Sequence, residues 1–160
     1  ETVVRDITAL GGFLVLGMLS LFVVGYLWLK KQHKMAVFVG ASVFTGIAIN
    51  TLLKELITRP RPDIISHGTG AALSSFPSGH TMMSTVVFLT LGALLSLATN
   101  DRKIKFYILF WSILLPLLVG LSRLYLGVHW PTDIIAGWIA GATWALICVL
   151  LGQWFIRTRA

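Results

Sequence analysis

Five long apolar stretches, parted by short polar ones, set the pattern of this chain. The first runs from about Thr8 to Leu29 and the second from Met35 to about Ile57. The third covers about His80 to Ala98, the fourth about Ile104 to Leu121, and the fifth follows Asp133 and ends near Ile156. Each is close to or above the roughly 18 apolar residues that let a helix cross a bilayer. Backbone polar groups in hydrocarbon must pair within their own segment, so these stretches should be helices. The pattern predicts an all-α integral membrane bundle with five transmembrane helices, forming a single domain over residues 1–160. Small residues four apart, such as Gly137 and Gly141, suit close helix packing.

Composition agrees. The chain is 56% hydrophobic and 12% charged, against about 25% charged residues in an ordinary soluble domain. Its net charge of +7 would suggest an acidic partner in a soluble protein. No basic stripe with interleaved aromatics is present, so no nucleic-acid partner is expected, and no protein partner is evident. Cys148 is the single cysteine. Within the last apolar run it reads as a buried, inert thiol.

The basic residues sort by side. The connections at 30–34 and 100–105 and the C-terminal tail hold eight of the thirteen Lys and Arg residues. They should face the cytoplasm. Arg5, Lys54, Arg59, Arg61 and Arg123 fall on the other side. The expected setting is a multi-pass protein of the plasma membrane. The visible N-terminus would then lie outside with no signal-peptide pattern, so a further helix upstream is expected. Trp28, Trp130 and Trp154 read as interfacial anchors, and His33 as part of the cytoplasmic basic cluster.

Three polar clusters map to that outer side. The first runs from Lys54 to Pro62. Lys54 and Arg61 stand nearly two helical turns apart, but Pro60 and Pro62 should end the helix before that register holds. A plain basic helix end is the competing reading. The second, Ser74 to His80, opens the third span with Ser and Pro, which favour helix starts. A helix N-terminus is a ready anion site, and Gly79 permits close backbone approach. A plain cap with an interfacial His80 fits this cluster equally well on its own. The third runs from Ser122 to Asp133. An Asp beside a His can hold the ring tautomer and stabilise the imidazolium, although Thr132 or Asp133 would also serve as a simple cap.

Taken together, Lys54, Arg61 and Arg123 with a helix N-terminus describe an anion site. Such a site disfavours a divalent metal, which wants carboxylates or neutral imidazoles without cationic neighbours. No metal and no cofactor are expected. Two histidines beside a bound phosphate suggest that one attacks phosphorus while the other protonates the leaving oxygen.

The spacing Lys-x6-Arg-Pro, then Pro-Ser-Gly-His, then Ser-Arg-x5-His-x3-Asp resembles the tripartite signature of the type 2 phosphatidic acid phosphatase family. Lys54, Arg61, Pro62, Pro77, Ser78, Gly79, His80, Ser122, Arg123, His129 and Asp133 occupy its positions. The resemblance implies a six-helix membrane bundle, of which this chain would lack the first helix. It implies a metal-independent lipid phosphatase working through a phosphohistidine. His129 would be the nucleophile, Asp133 its orienting partner and His80 the proton donor. Lys54, Arg61, Ser78, Gly79 and Arg123 would hold the phosphate oxygens. In length the chain most resembles bacterial phosphatidylglycerophosphate phosphatase B-type enzymes and undecaprenyl pyrophosphate phosphatases. Phosphatidylglycerophosphate is therefore the first expected substrate, with undecaprenyl pyrophosphate and phosphatidic acid behind it.

The main non-enzyme alternative is a transporter or channel with an anion site. Its charges should line a path, whereas these gather at one edge. A vanadate haloperoxidase-like enzyme would share the signature, but five spans weigh against a soluble class. Asp63, His67 and Arg59 read as members of a solvated polar loop, and Glu55 as a local charge partner of Lys54.

Overall fold

The computed structural model describes residues 2–62 and 74–157, the last four of these as backbone only. The order is α1 (Thr2–Ala9), α2 (Phe13–Leu29), α3 (His33–Leu56), α4 (Gly79–Leu97), α5 (Arg102–Tyr125) and α6 (Pro131–Arg157). Four helices, α3 to α6, are long and apolar enough to cross a membrane. The pair α1–α2, bent by 43°, makes a fifth crossing if its halves count as one span. This is a multi-pass membrane protein, and its all-helical class is the one the apolar pattern predicts.

The first apolar run differs in detail from a single straight helix. The chain breaks between Ala9 and Phe13, at Gly11 and Gly12. A side chain on Gly11 would strike Val119 of α5 and crowd the backbone of His80. The glycine lets this corner lie directly over the start of α4. The other boundaries follow local chemistry. Helix α3 stops at Leu56, ahead of Pro60 and Pro62, as proline requires. Asp101 caps α5 by accepting from the Lys103 N–H at 2.8 Å.

Helix α4 is the hub. Eleven of its residues are buried, more than on any other helix among the described residues. It packs against both α5 and α6, and α6 meets it through glycines. A Cβ on Gly141 would lie 2.7 Å from the Met82 carbonyl oxygen, and one on Gly137 3.2 Å from that of Ser78. Small residues thus bring the two backbones together, the usual solution where lipid offers no hydrophobic drive for association. The outer faces are apolar, with Leu14, Phe22, Phe44, Phe106 and Ile139 largely exposed. Buried hydroxyls on the helices donate back to their own backbone, as Ser20, Ser42, Thr85 and Ser112 each do to the carbonyl four residues earlier.

Candidate active site

Three chain segments meet at one end of the bundle. These are the C-terminal end of α3 with the strand-like run after it, the start of α4, and the α5–α6 connection. Lys54 lies on the last turn of α3. Its ammonium donates to the carbonyls of Ser74 and Pro77, each at 2.8 Å. It thereby joins the first cluster to the second. Glu55 is exposed and makes no ion pair with Lys54. That corrects its expected role as charge partner, because the lysine is committed to backbone carbonyls.

Helix α4 begins after a cis peptide bond between Phe76 and Pro77. Ser78 is its N-cap but makes no side-chain cap bond. The Ser78 N–H donates instead to the Asp133 carbonyl at 3.1 Å, and its hydroxyl accepts from Thr81 at 3.0 Å. The N–H groups of Gly79 and His80 have no acceptor among the described residues, as expected of a first helical turn. The missing Cβ of Gly79 faces Asn50 and Phe13. The Phe13 ring meets that of His80 edge-on, with centroids 6.3 Å apart.

Arg123 ends α5 and reaches Thr8 of α1 with Nη1 at 3.4 Å. Arg61 is half-buried in the run after α3. The Nε groups of Arg61 and Arg123 are buried and have no partner among the described residues. Arg123, Arg61 and Lys54 all act electrostatically on the His80 ring, and Arg123 and Arg61 also act on that of His129. The three cations and both histidines therefore share one locality.

His129 sits in the α5–α6 connection and is buried. Its Nδ1 faces Asp133 Oδ2 at 3.4 Å, and that oxygen also accepts from the Trp130 N–H at 3.0 Å. Burial, then Arg123 and Arg61, hold the imidazole below its ordinary pKa, against the opposing pull of Asp133. Asp133 is 0% exposed. Its Oδ1 accepts from Arg59 Nη1 at 2.9 Å.

Arg59 is thus no solvated loop residue, and the reading that set it aside is corrected. It also donates to the Thr132 hydroxyl and stacks 5.5 Å from the Trp130 ring centroid. Trp130 is more than an interfacial anchor, since its indole N–H donates to the Pro60 carbonyl at 3.1 Å. Asp63 and His67 lie outside the described residues, as does the Trp154 side chain. Thr8 and Phe13 were not singled out in the sequence. The paired glycines at 11 and 12 lie where the chain turns over the site.

The backbone matches the crystal structure of a transmembrane PAP2-type phosphatidylglycerolphosphate phosphatase from Bacillus subtilis with a TM-score of 0.85. Sequence identity is 29%, and the match covers 95% of this chain and 76% of that one. The chain is also similar to decaprenylphosphoryl-5-phosphoribose phosphatase of Mycobacterium tuberculosis, being 32% identical over 148 residues, which cover 90% of this chain and 76% of the relative. It is similar to undecaprenyl-diphosphatase of Sulfolobus acidocaldarius at 28% identity, over 86% of this chain and 68% of that protein. A helical membrane fold with such relatives defines a membrane lipid phosphatase. The chain belongs to the PAP2 superfamily, whose family model matches residues 35–157.

Proposed function

We propose that this phosphatase hydrolyses a lipid phosphate through a phosphohistidine on His129, at the outer face of the plasma membrane. The observation that carries the reading is the pair of buried guanidinium donors, Arg61 Nε and Arg123 Nε, that have no partner among the described residues, beside two histidines. Buried donors without acceptors are costly and call for an explanation. A tetrahedral phosphate supplies acceptors for both, and for the free N–H groups of Gly79 and His80. Ser78 adds its hydroxyl, and Lys54 adds charge while holding the start of α4 in place.

The chemistry follows from which nitrogen is engaged. Asp133 takes the Nδ1–H of His129, so the lone pair on Nε2 is the one turned to phosphorus. Nε2 attacks, the P–O bond to the lipid alcohol breaks, and His80 gives the departing oxygen a proton. Asp133 balances the positive charge that grows on the ring. His80, now neutral, takes a proton from water. That water attacks the phosphorus of the P–N bond, releasing phosphate and restoring His129.

The substrate class follows from position. Lys54, His80 and Arg123 stand at helix ends, where a headgroup phosphate would sit with its chains still in hydrocarbon. Exposing a chain to water costs about 0.8 kcal/mol per CH₂, which favours lateral entry from the bilayer. Phosphatidylglycerophosphate is the first candidate, supported by the likeness to the Bacillus structure. A polyprenyl-linked phosphate is the second, supported by the mycobacterial relative. The test is a panel of long-chain, short-chain and water-soluble phosphate esters in detergent at controlled micelle concentration. The long-chain lipids should show the highest kcat/KM. A soluble ester that equals or exceeds them defeats the lipid assignment.

A further inference from the structure

Asp133 lies buried with both carboxylate oxygens occupied. Oδ2 faces His129 and the Trp130 N–H, and Oδ1 is taken by Arg59. Arg59 comes from a distant part of the chain, 74 positions away. Its backbone is engaged as well. The Arg59 N–H donates to the Ser74 hydroxyl at 3.1 Å, and its carbonyl accepts from the Ser75 N–H at 2.9 Å. One residue therefore binds the segment before α4 through its main chain, and the start of α6 through its side chain. It does so from between Lys54 and Arg61.

We propose that Arg59 is a positioning residue of the reaction: it holds the Oδ1 oxygen of Asp133, so that the carboxylate presents Oδ2 to His129 in a single orientation. This inference rests on His129 being the nucleophile, as set out above. A carboxylate with one free oxygen can rotate or tilt, and the imidazole it orients would follow. The two bonds from Nη1 to Asp133 and Thr132, with the guanidinium laid against the Trp130 ring, remove that freedom. Both bonds leave from one nitrogen, so a lysine ammonium could replace their charge, but it would not reproduce the planar guanidinium laid on the Trp130 ring.

The same contact tempers the charge felt by His129. The groups that face the ring are Asp133 from α6, Arg123 from α5 and Arg61 from the run after α3. His80 of α4 shares Arg123 and Arg61 with it. Among the described residues Asp133 is the group that favours the protonated ring, and Arg59 offsets its charge from the far side. Removing that offset makes the imidazole easier to protonate. The neutral form, which alone can attack, is then lost at a higher pH. Arg59 itself is 35% exposed at the mouth of the site, and the phosphate-facing donors are on other residues.

The experiment uses the full protein in detergent, with kcat and KM followed across pH for Arg59→Gln and Arg59→Lys. His129→Ala serves as the control for the underlying mechanism. For Arg59→Gln we expect kcat to fall about 100-fold, the scale of a modest misplacement of a reacting group. KM should stay within about two-fold, and the acid limb of kcat/KM should move to higher pH. Arg59→Lys should return that limb to its wild-type position and recover part of kcat. Wild-type kcat in Arg59→Gln overturns the proposal. So does a loss confined to KM or thermal stability with an unmoved limb, which would make Arg59 a structural clamp only. If Arg59→Gln does not fold, Arg59→Lys decides. A limb at the wild-type position with kcat below wild type supports the proposal, and a displaced limb overturns it. An active His129→Ala would instead sink the phosphohistidine reading, whatever the Arg59 variants do.

Discussion

The Lys54 ammonium donates to the Pro77 carbonyl at 2.8 Å, and so ties the end of α3 to the turn that starts α4. A second bond to the Ser74 carbonyl completes the clamp. Lys54→Met should therefore lose stability as well as activity. Two carbonyls lose their donor, each costing about 1–3 kcal/mol if left unpaired. Thermal unfolding in detergent, read beside kcat/KM, measures both effects. Full thermal stability in Lys54→Met would show that the clamp contributes nothing.

The two histidines should separate by leaving group. His129→Ala should lose essentially all turnover and fail to trap radiolabelled phosphate on the protein. Asp133→Asn should lose less, because the ring remains but is misoriented. His80→Ala should cost about 10²–10⁴-fold with a lipid alcohol as leaving group. Much of that loss should vanish with a nitrophenyl ester, whose departing oxygen needs no proton. Equal losses for both substrates would remove His80 from the proton-donor role.

The pH profile should carry the signature of a ring kept neutral. The His129 imidazole is shifted below its ordinary value of 6.5 by burial, Arg123 and Arg61. The free-enzyme acid limb of kcat/KM should then lie below pH 6.5. Arg123→Gln removes a nearby cation, which makes protonation easier and raises that limb. A wild-type limb at or above the ordinary value would contradict the electrostatic picture of the site.

In the proposed reaction Lys54, Arg61 and Arg123 supply the positive charge, so no divalent ion is required. Activity should survive chelators. Vanadate should inhibit competitively with substrate, since it can adopt the five-coordinate shape of the phosphoryl transition state. Inactivation by EDTA, reversed by adding a divalent cation, is the outcome that would refute the site chemistry.

Orientation in the membrane is testable with single cysteines in a Cys148→Ala background. Thr58 and Gln32 are both exposed, at opposite ends of α3. In intact cells an impermeant thiol reagent should label a cysteine at 58 and spare one at 32, because a basic cluster such as that at 30–34 is expected on the cytoplasmic side. The reverse pattern would place the active site on the inner face.

Much of the architecture was legible because its signals are local. An apolar run closed by Pro60 or opened by Ser78 carries its own boundary. Lys54, His80 and Arg123 stood out because such side chains have no packing motive at the ends of apolar helices. What escaped was decided at a distance. Arg59 lies in a polar stretch that looks solvated, and its role depends on Asp133, 74 positions away. The bend at Gly11 and Gly12 was masked by continuous hydrophobicity on both sides. Its cause is the crowding of Val119 and His80 against that corner, which no local pattern encodes. Glu55 misled for the opposite reason, since sequence adjacency to Lys54 outweighed the carbonyls that hold the lysine.

The bond from the Ser78 N–H to the Asp133 carbonyl joins the first turn of α4 to the first turn of α6, and it has a bearing on biosynthesis. The ribosome makes His80 well before His129 and Asp133. A nascent chain halted after α5 would carry the cations and the proposed proton donor but not the proposed nucleophile. The glycine-lined seam between α4 and α6 must close before the two halves meet. On the proposed mechanism, catalytic competence is thus acquired only when α6 docks. Turnover in a cell-free translation and insertion system would then report the docking of α6, rising only after that helix has entered the bilayer.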